Sequence, residues 1–231
     1  DLDFNFIEDE FINISTSNIK TIKETLFGFD KNIYSKIEHL HNEKIINIKG
    51  FFQSFKYIHY LNQLPNNIFV LKNIFVLKDE YTEKINKKLQ EIKSISKSKN
   101  LISIHLRRGD YLKYPDYHCL TPLNYYIQII KELRKNTDNF FLIFSDDLNY
   151  IKRVFYSISD KCIFNYNEPI IDLYLQTYCT TNIICNSSFS LMASYLNENK
   201  NKKVYAPKNW FGIKGPNVNM KDLLLDNYLI L

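Results

Sequence analysis

At 231 residues, with 45% hydrophobic and 24% charged side chains, the chain has the composition of a soluble globular protein and is not a disordered one. Its net charge of +5 is mild and its Lys residues are scattered among acids, which excludes a nucleic-acid-binding stripe and leaves an anionic small molecule or a membrane surface as partners. The longest apolar runs, such as 139–144, are too short to span a bilayer, and no signal-peptide pattern opens the chain. Cys119, Cys162, Cys179 and Cys185 show no Cys-x-x-Cys spacing and are expected to be reduced.

Residues 1–98 have no clean architecture: aromatic-rich pieces such as 51–57 alternate with polar turns. One helix stands out over 79–95, where Ile85, Leu89 and Ile92 recur at near-helical spacing. The polar run from Ser94 to Asn100 is the expected linker, dividing the chain into an amino-terminal region, 1–98, and a second domain, 99–231. Beyond it strands and helices alternate: strand 101–104, helix 122–134, strand 140–144, helix 170–179, strand 182–185, helix 188–197 and strand 203–205. Such alternation predicts a parallel sheet covered by helices. Thr121 is expected to cap the helix that opens at Pro122, whose buried face is predicted to be Leu123, Tyr126, Ile127, Ile130 and Leu133.

Open parallel sheets bind ligands beyond the carboxyl ends of their strands, and here those ends are polar. The first carries His105, Arg107 and Arg108, followed by Gly109 and Asp110. The second carries Ser145, Asp146 and Asp147, and the third Asn186, Ser187, Ser188 and Ser190. A guanidinium is always charged and its planar fork of donors matches phosphate oxygens, so an Arg pair at a strand end suggests a phosphate clamp. The competing reading is an Arg paired with Asp110 to brace the turn. Adjacent side chains in extended backbone point to opposite sides, so one Arg can brace while the other reaches a ligand. The Asn-Ser-Ser-Phe-Ser segment opens a helix, where unpaired N–H groups and hydroxyls hold an anion, or where Ser187 or Ser188 serves only as a cap.

No Walker lysine motif, Gly-x-Gly-x-x-Gly or His-Glu-x-x-His occurs, so P-loop kinase, dinucleotide dehydrogenase and zinc protease chemistries lack their parts. Asp146-Asp147 could hold Mg²⁺, but adjacent carboxylates after a strand more often cap the next helix or meet a ribose or base, and no internal Asp-x-Asp is present. No metal site is expected.

Six segments resemble the inverting α-1,2-fucosyltransferases of glycosyltransferase family eleven. They are Gly50 to Tyr57, Ile104 to Leu112, Phe144 to Asp147, Asp172 to Gln176, Asn186 to Ser190 and Ala206 to Phe211, in order over roughly 50–212. The His-x-Arg-Arg-x-Asp element is shared with α-1,6 and protein O-fucosyltransferases, so the serine-rich and Pro-Lys-Asn-Trp-Phe segments carry the narrower assignment. The resemblance implies an α/β protein of GT-B type, with a carboxyl-terminal Rossmann-like parallel-sheet domain that binds GDP-fucose without a metal or cofactor. It implies that Arg107 grips the β-phosphate, Arg108 supports the loop, His105 shapes the nucleotide pocket and Asp172 accepts from guanine N–H groups. Asp146, Asn186, Ser187, Ser188 and Ser190 would complete the donor site, and Asp110 would act as a general base or pair with a neighbouring Arg.

The family's Gly-Gly-x-Gly-Asn-Gln loop has no counterpart in residues 1–50, so the amino-terminal α/β domain is expected to be partial or divergent. Leu191-Met192-Ala193-Ser194 stands where the family tends to place a Trp pair and Gly. The implied reaction moves fucose to a galactoside hydroxyl of a glycan, with inversion, in a cytoplasmic enzyme peripheral to the inner membrane. A non-catalytic nucleotide- or glycan-binding module and a transferase using another nucleotide sugar are the alternatives.

Overall fold

The computed structural model describes residues 20–23, 29–30, 32–33, 46–49, 54–57, 77–97 and 100–231. Residues 50–53 of the first family-like segment, and most of the stretch expected to lack the Gly-rich loop, lie outside the described residues. Two short strands, β1 (Lys20–Lys23) and β2 (Ile46–Lys49), pair in parallel. The remaining strands are β3 (Asn100–Leu106), β4 (Asn139–Ser145), β5 (Cys162–Asn165), β6 (Thr181–Ile183), β7 (Lys203–Ala206) and β8 (Leu229–Ile230). They form one sheet in the order β5-β4-β3-β6-β7-β8, parallel at every pair. The order reverses beside β3, so the loops after β3, β4 and β6 open onto one crevice, where such sheets take ligands.

Helices cover both faces. Helix α1 (Asp79–Ser96) and α4 (Pro169–Thr177) bury Ile85, Leu89, Ile92, Ile171 and Leu175 against Leu101, Phe140, Leu142 and Phe144. Helices α2 (Leu123–Leu133) and α3 (Leu148–Val154) pack on Ile102, Ile104, Leu106, Phe141 and Ile143 on the other face. Helix α5 (Ser188–Leu196) lies beside α4, and a third cluster joins Leu191 to Val204, Trp210 and Leu223, the last from the short helix α6 (Met220–Leu223). The expected alternation holds from residue 100 onward, with α3, β5, α6 and β8 added to it. Helix α1 shares its core with the sheet: its acidic first turn (Asp79, Glu80) suits the helix dipole, and Lys97 ends it in the left-handed region at φ 46°.

Two local expectations are corrected. Helix α2 buries Tyr125, Tyr126, Ile129 and Ile130, whereas Ile127 is 46% exposed. The face turns because both tyrosines find acceptors inside, Tyr125 Oη donating to Ile184 O and Tyr126 Oη to His105 O at 2.9 and 3.1 Å. Thr121 makes no cap, since Pro122 takes that position with no side-chain bond, and its hydroxyl donates instead to Asn186 Oδ1 at 2.9 Å.

Candidate functional site

The turn after β3 is organised by the tip of β4. Asp146 accepts the backbone N–H of Arg108 (2.9 Å) and of Gly109 (3.0 Å), fixing the exit of the chain from the sheet. A Cβ on Gly109 would lie 2.7 Å from Asp146 Oδ2, so only glycine lets the carboxylate come this close. The same carboxylate lies 3.2 Å from Arg107 Nη1, and Arg107 Nε donates to Asp110 Oδ1 at 2.9 Å. Among the described residues Arg107 Nη2 has no partner, on a side chain 38% exposed at the rim.

Arg108 points the other way and is the brace. Its guanidinium carbon sits 3.4 Å from the centre of the Tyr150 ring and its Nε 3.1 Å from Asp147 Oδ2. Asp147 in turn caps α3 by accepting from Tyr150 N at 3.0 Å, so cap, stack and ion pair lock together. The sequence reading named Asp147 as a capping candidate but missed Tyr150. Its signal was the position three residues after the cap.

Asp110 is poorly suited to general-base work. Its hydrogen bond to Arg107 holds the carboxyl below the ordinary aspartate value, and a weaker base takes a proton less readily. The alternative, an ion pair with a neighbouring Arg, is what forms.

His105 is 6% exposed, with Nδ1 3.2 Å from Cys185 Sγ and its ring 5.2 Å from that of Phe189. Burial, with the Arg107 charge adding to it, pushes the imidazole down to about 3, so it is neutral at ordinary pH. Asp172, in the first turn of α4, is shifted the opposite way by burial, its carboxyl raised although Asn167 N and Nδ2 both donate to it (3.2 and 2.6 Å).

The serine-rich segment divides its duties, and the capping reading holds for Ser187. Asn186, read as a donor contact, is a buried hub: Nδ2 donates to Cys119 O (2.7 Å) and Trp210 O (2.8 Å), while Oδ1 accepts from Thr121. Its own carbonyl accepts from Tyr111 Oη at 2.8 Å, so one residue ties the loops after β3, β6 and β7 together. Ser187 caps α5 by accepting from Phe189 N. Ser190 is fully buried, bonded to Ser187 O, and faces the Cys185 thiol. Ser188 alone of the three serines is exposed, on the first turn of α5. Among the described residues, no group of three or more His, Cys, Asp or Glu side chains is arranged for a metal ion, and no helix is long and apolar enough to cross a membrane.

A parallel α/β sheet whose switch point carries an Arg at the rim, held by a carboxylate from the tip of the neighbouring strand β4 and by another in its own loop, defines a Rossmann-like protein with a polar crevice. The chain belongs to glycosyl transferase family 11, whose model matches residues 5–214. It is 30% identical over 146 residues to the O-antigen biosynthesis glycosyltransferase WbnK of Escherichia coli, covering 60% of this chain and 47% of that one. It is 28% identical over 191 residues to an alpha-1,2-colitosyltransferase of the same organism, covering 79% and 62%. The chain thus spans between about half and three-fifths of the length of these relatives. Among solved structures it is similar to POFUT1 in complex with GDP-fucose, at 12% identity and a TM-score of 0.48, covering 79% of this chain and 58% of that one.

Proposed function

We propose that the chain transfers a 6-deoxyhexose, fucose, from GDP-fucose to a galactoside hydroxyl of a glycan, with inversion and without a metal. The observation that carries this reading is Arg107: a partly exposed guanidinium at the switch point, aimed by Asp110 and Asp146, with one terminal nitrogen unspent among the described residues. The donor's β-phosphate would bond to that nitrogen. As the bond from the sugar's anomeric carbon to the β-phosphate oxygen lengthens, negative charge builds on the diphosphate and positive charge on the sugar ring. A guanidinium already in place stabilises the first of these without reorganising. The acceptor oxygen attacks the opposite face of the ring, the bond to the diphosphate oxygen breaks so that GDP leaves, and the hydroxyl proton passes to solvent water as the new bond forms.

The other roles follow from the contacts. Asp110 and Asp146 position Arg107, Arg108 stiffens the turn, and Asn186 holds three loops at the crevice. Ser188 is the serine available to the donor, and Asp172 is the acceptor for guanine N–H groups. The membrane-peripheral setting belongs to this proposal as well.

Incubation of the full chain with GDP-fucose and a galactoside, read by mass spectrometry, is expected to give one added deoxyhexose, and no product with any galactoside would count against the reading. A second reading has a specific observation behind it. The relative covering 79% of the chain is named for colitosyl transfer, so a transferase using another nucleotide sugar, a colitosyl donor, is the alternative. Parallel assays with both donors separate the two.

A further inference from the structure

The described residues contain one buried side-chain polar atom with no partner, Asn165 Oδ1. Asn165 is the last residue of β5 and is 2% exposed. Its Nδ2 donates to Ile163 O at 3.3 Å, and turning the amide over would set two oxygens against each other. The unpaired atom is therefore an acceptor. A buried acceptor left unmatched destabilises the free protein, and such groups are uncommon enough to require a reason.

Register supplies the reason. Asn165 pairs with Phe144 on β4, and Phe144 pairs with His105 on β3. Directly paired residues point to the same face, so His105, Phe144 and Asn165 form one row, about 10 Å across, at the carboxyl rim of the sheet. Phe144 packs with Ile171 and Leu175 of α4, which puts the row under that helix. Asp172 lies in the first turn of α4, and Phe189 of α5 stands against His105 at the other end of the row. Asn167, two residues after Asn165, holds the Asp172 carboxylate, so both acceptors are set by the same short loop. A carboxylate has about four acceptor sites, and the two bonds from Asn167 leave room for more.

We infer that Asn165 is a base-specificity residue, whose Oδ1 accepts an N–H from the exocyclic 2-amino group of the donor's guanine while Asp172 takes the adjoining ring edge. This rests on the GDP-sugar reading above and deepens it. A site built to bond an N–H discriminates strongly against an analogue lacking it, because the site's own polar atom is then left unpaired.

The test is titration of the full chain with GDP and with IDP, which differs only in lacking the 2-amino group. Wild type is expected to prefer GDP. Asn165→Leu, which fills the same space without the acceptor, is expected to weaken GDP about tenfold, leave IDP unchanged and not lower the melting temperature. Asn165→Ser carries the same comparison if the leucine variant fails to fold. An unchanged GDP-to-IDP ratio, or equal loss of both ligands, overturns the inference and leaves the donor reading standing, and the first is what an amide that merely holds a buried water would give. Wild type that binds neither nucleotide overturns both.

Discussion

Arg107 Nη1 lies 3.2 Å from Asp146 Oδ2, a contact between the tips of two paired strands, β3 and β4. The carboxylate that makes it also accepts two backbone N–H groups from the turn, so side-chain aim and backbone path are set by one group. The local charges nearly cancel: Arg107 and Arg108 face Asp110, Asp146 and Asp147. On the proposed reading, a diphosphate would be held there by the direction of one guanidinium and not by a surplus of positive charge. Gly109→Ala drives a methyl group into Asp146 and should disorganise that direction. A loss of about 1–3 kcal/mol in stability is expected by urea denaturation, together with weaker GDP binding. Unchanged values on both would mean the turn has slack.

Arg108→Lys keeps the charge and loses the planar stack on Tyr150. The expected cost is about 1 kcal/mol, seen as a lower urea midpoint at constant slope, with GDP affinity falling less than tenfold. A larger effect on affinity than on stability would move Arg108 from bracing into ligand contact.

Asn186→Ala leaves two carbonyls and the Thr121 hydroxyl without their partner in a buried setting. Roughly 2–4 kcal/mol of destabilisation is expected, measurable by denaturant unfolding. A change in nucleotide affinity with no change in stability would show that the amide reaches the ligand.

Much of the architecture was legible in the chain from residue 100 onward because buried parallel strands are short apolar runs separated by amphipathic helices. What escaped was set by tertiary partners. The face of α2 turns on two tyrosine hydroxyls that reach carbonyls far along the chain, and spacing carries no trace of that. Thr121 looked like a cap because local chemistry favours one, yet a side chain 65 residues away claims its hydroxyl. That the two arginines point apart followed from strand geometry, whereas which of them stacks as the brace came only with the family resemblance. The division of labour among Asn186, Ser187, Ser188 and Ser190 did not, since each could bond either to a ligand or to the protein.

His105 gives the fold a pH dependence. Its folded value of about 3 lies below the ordinary histidine value of 6.5, so the unfolded chain takes the proton first. The stability this residue supports is present above pH 6.5 and is lost progressively as pH falls toward 3. The full span corresponds to roughly 4–5 kcal/mol. His105→Asn is expected to flatten the fall in urea stability between pH 6.5 and 4.5, and an unaltered slope would mean the imidazole is not held neutral.

The grip of Arg107 on the donor's diphosphate is tested most directly by isothermal titration of GDP into wild type and Arg107→Ala. Loss of one charge-assisted phosphate contact should weaken binding by about tenfold to a hundredfold, with the melting temperature of the free protein nearly unchanged. Equal GDP affinity in the two proteins would contradict the account.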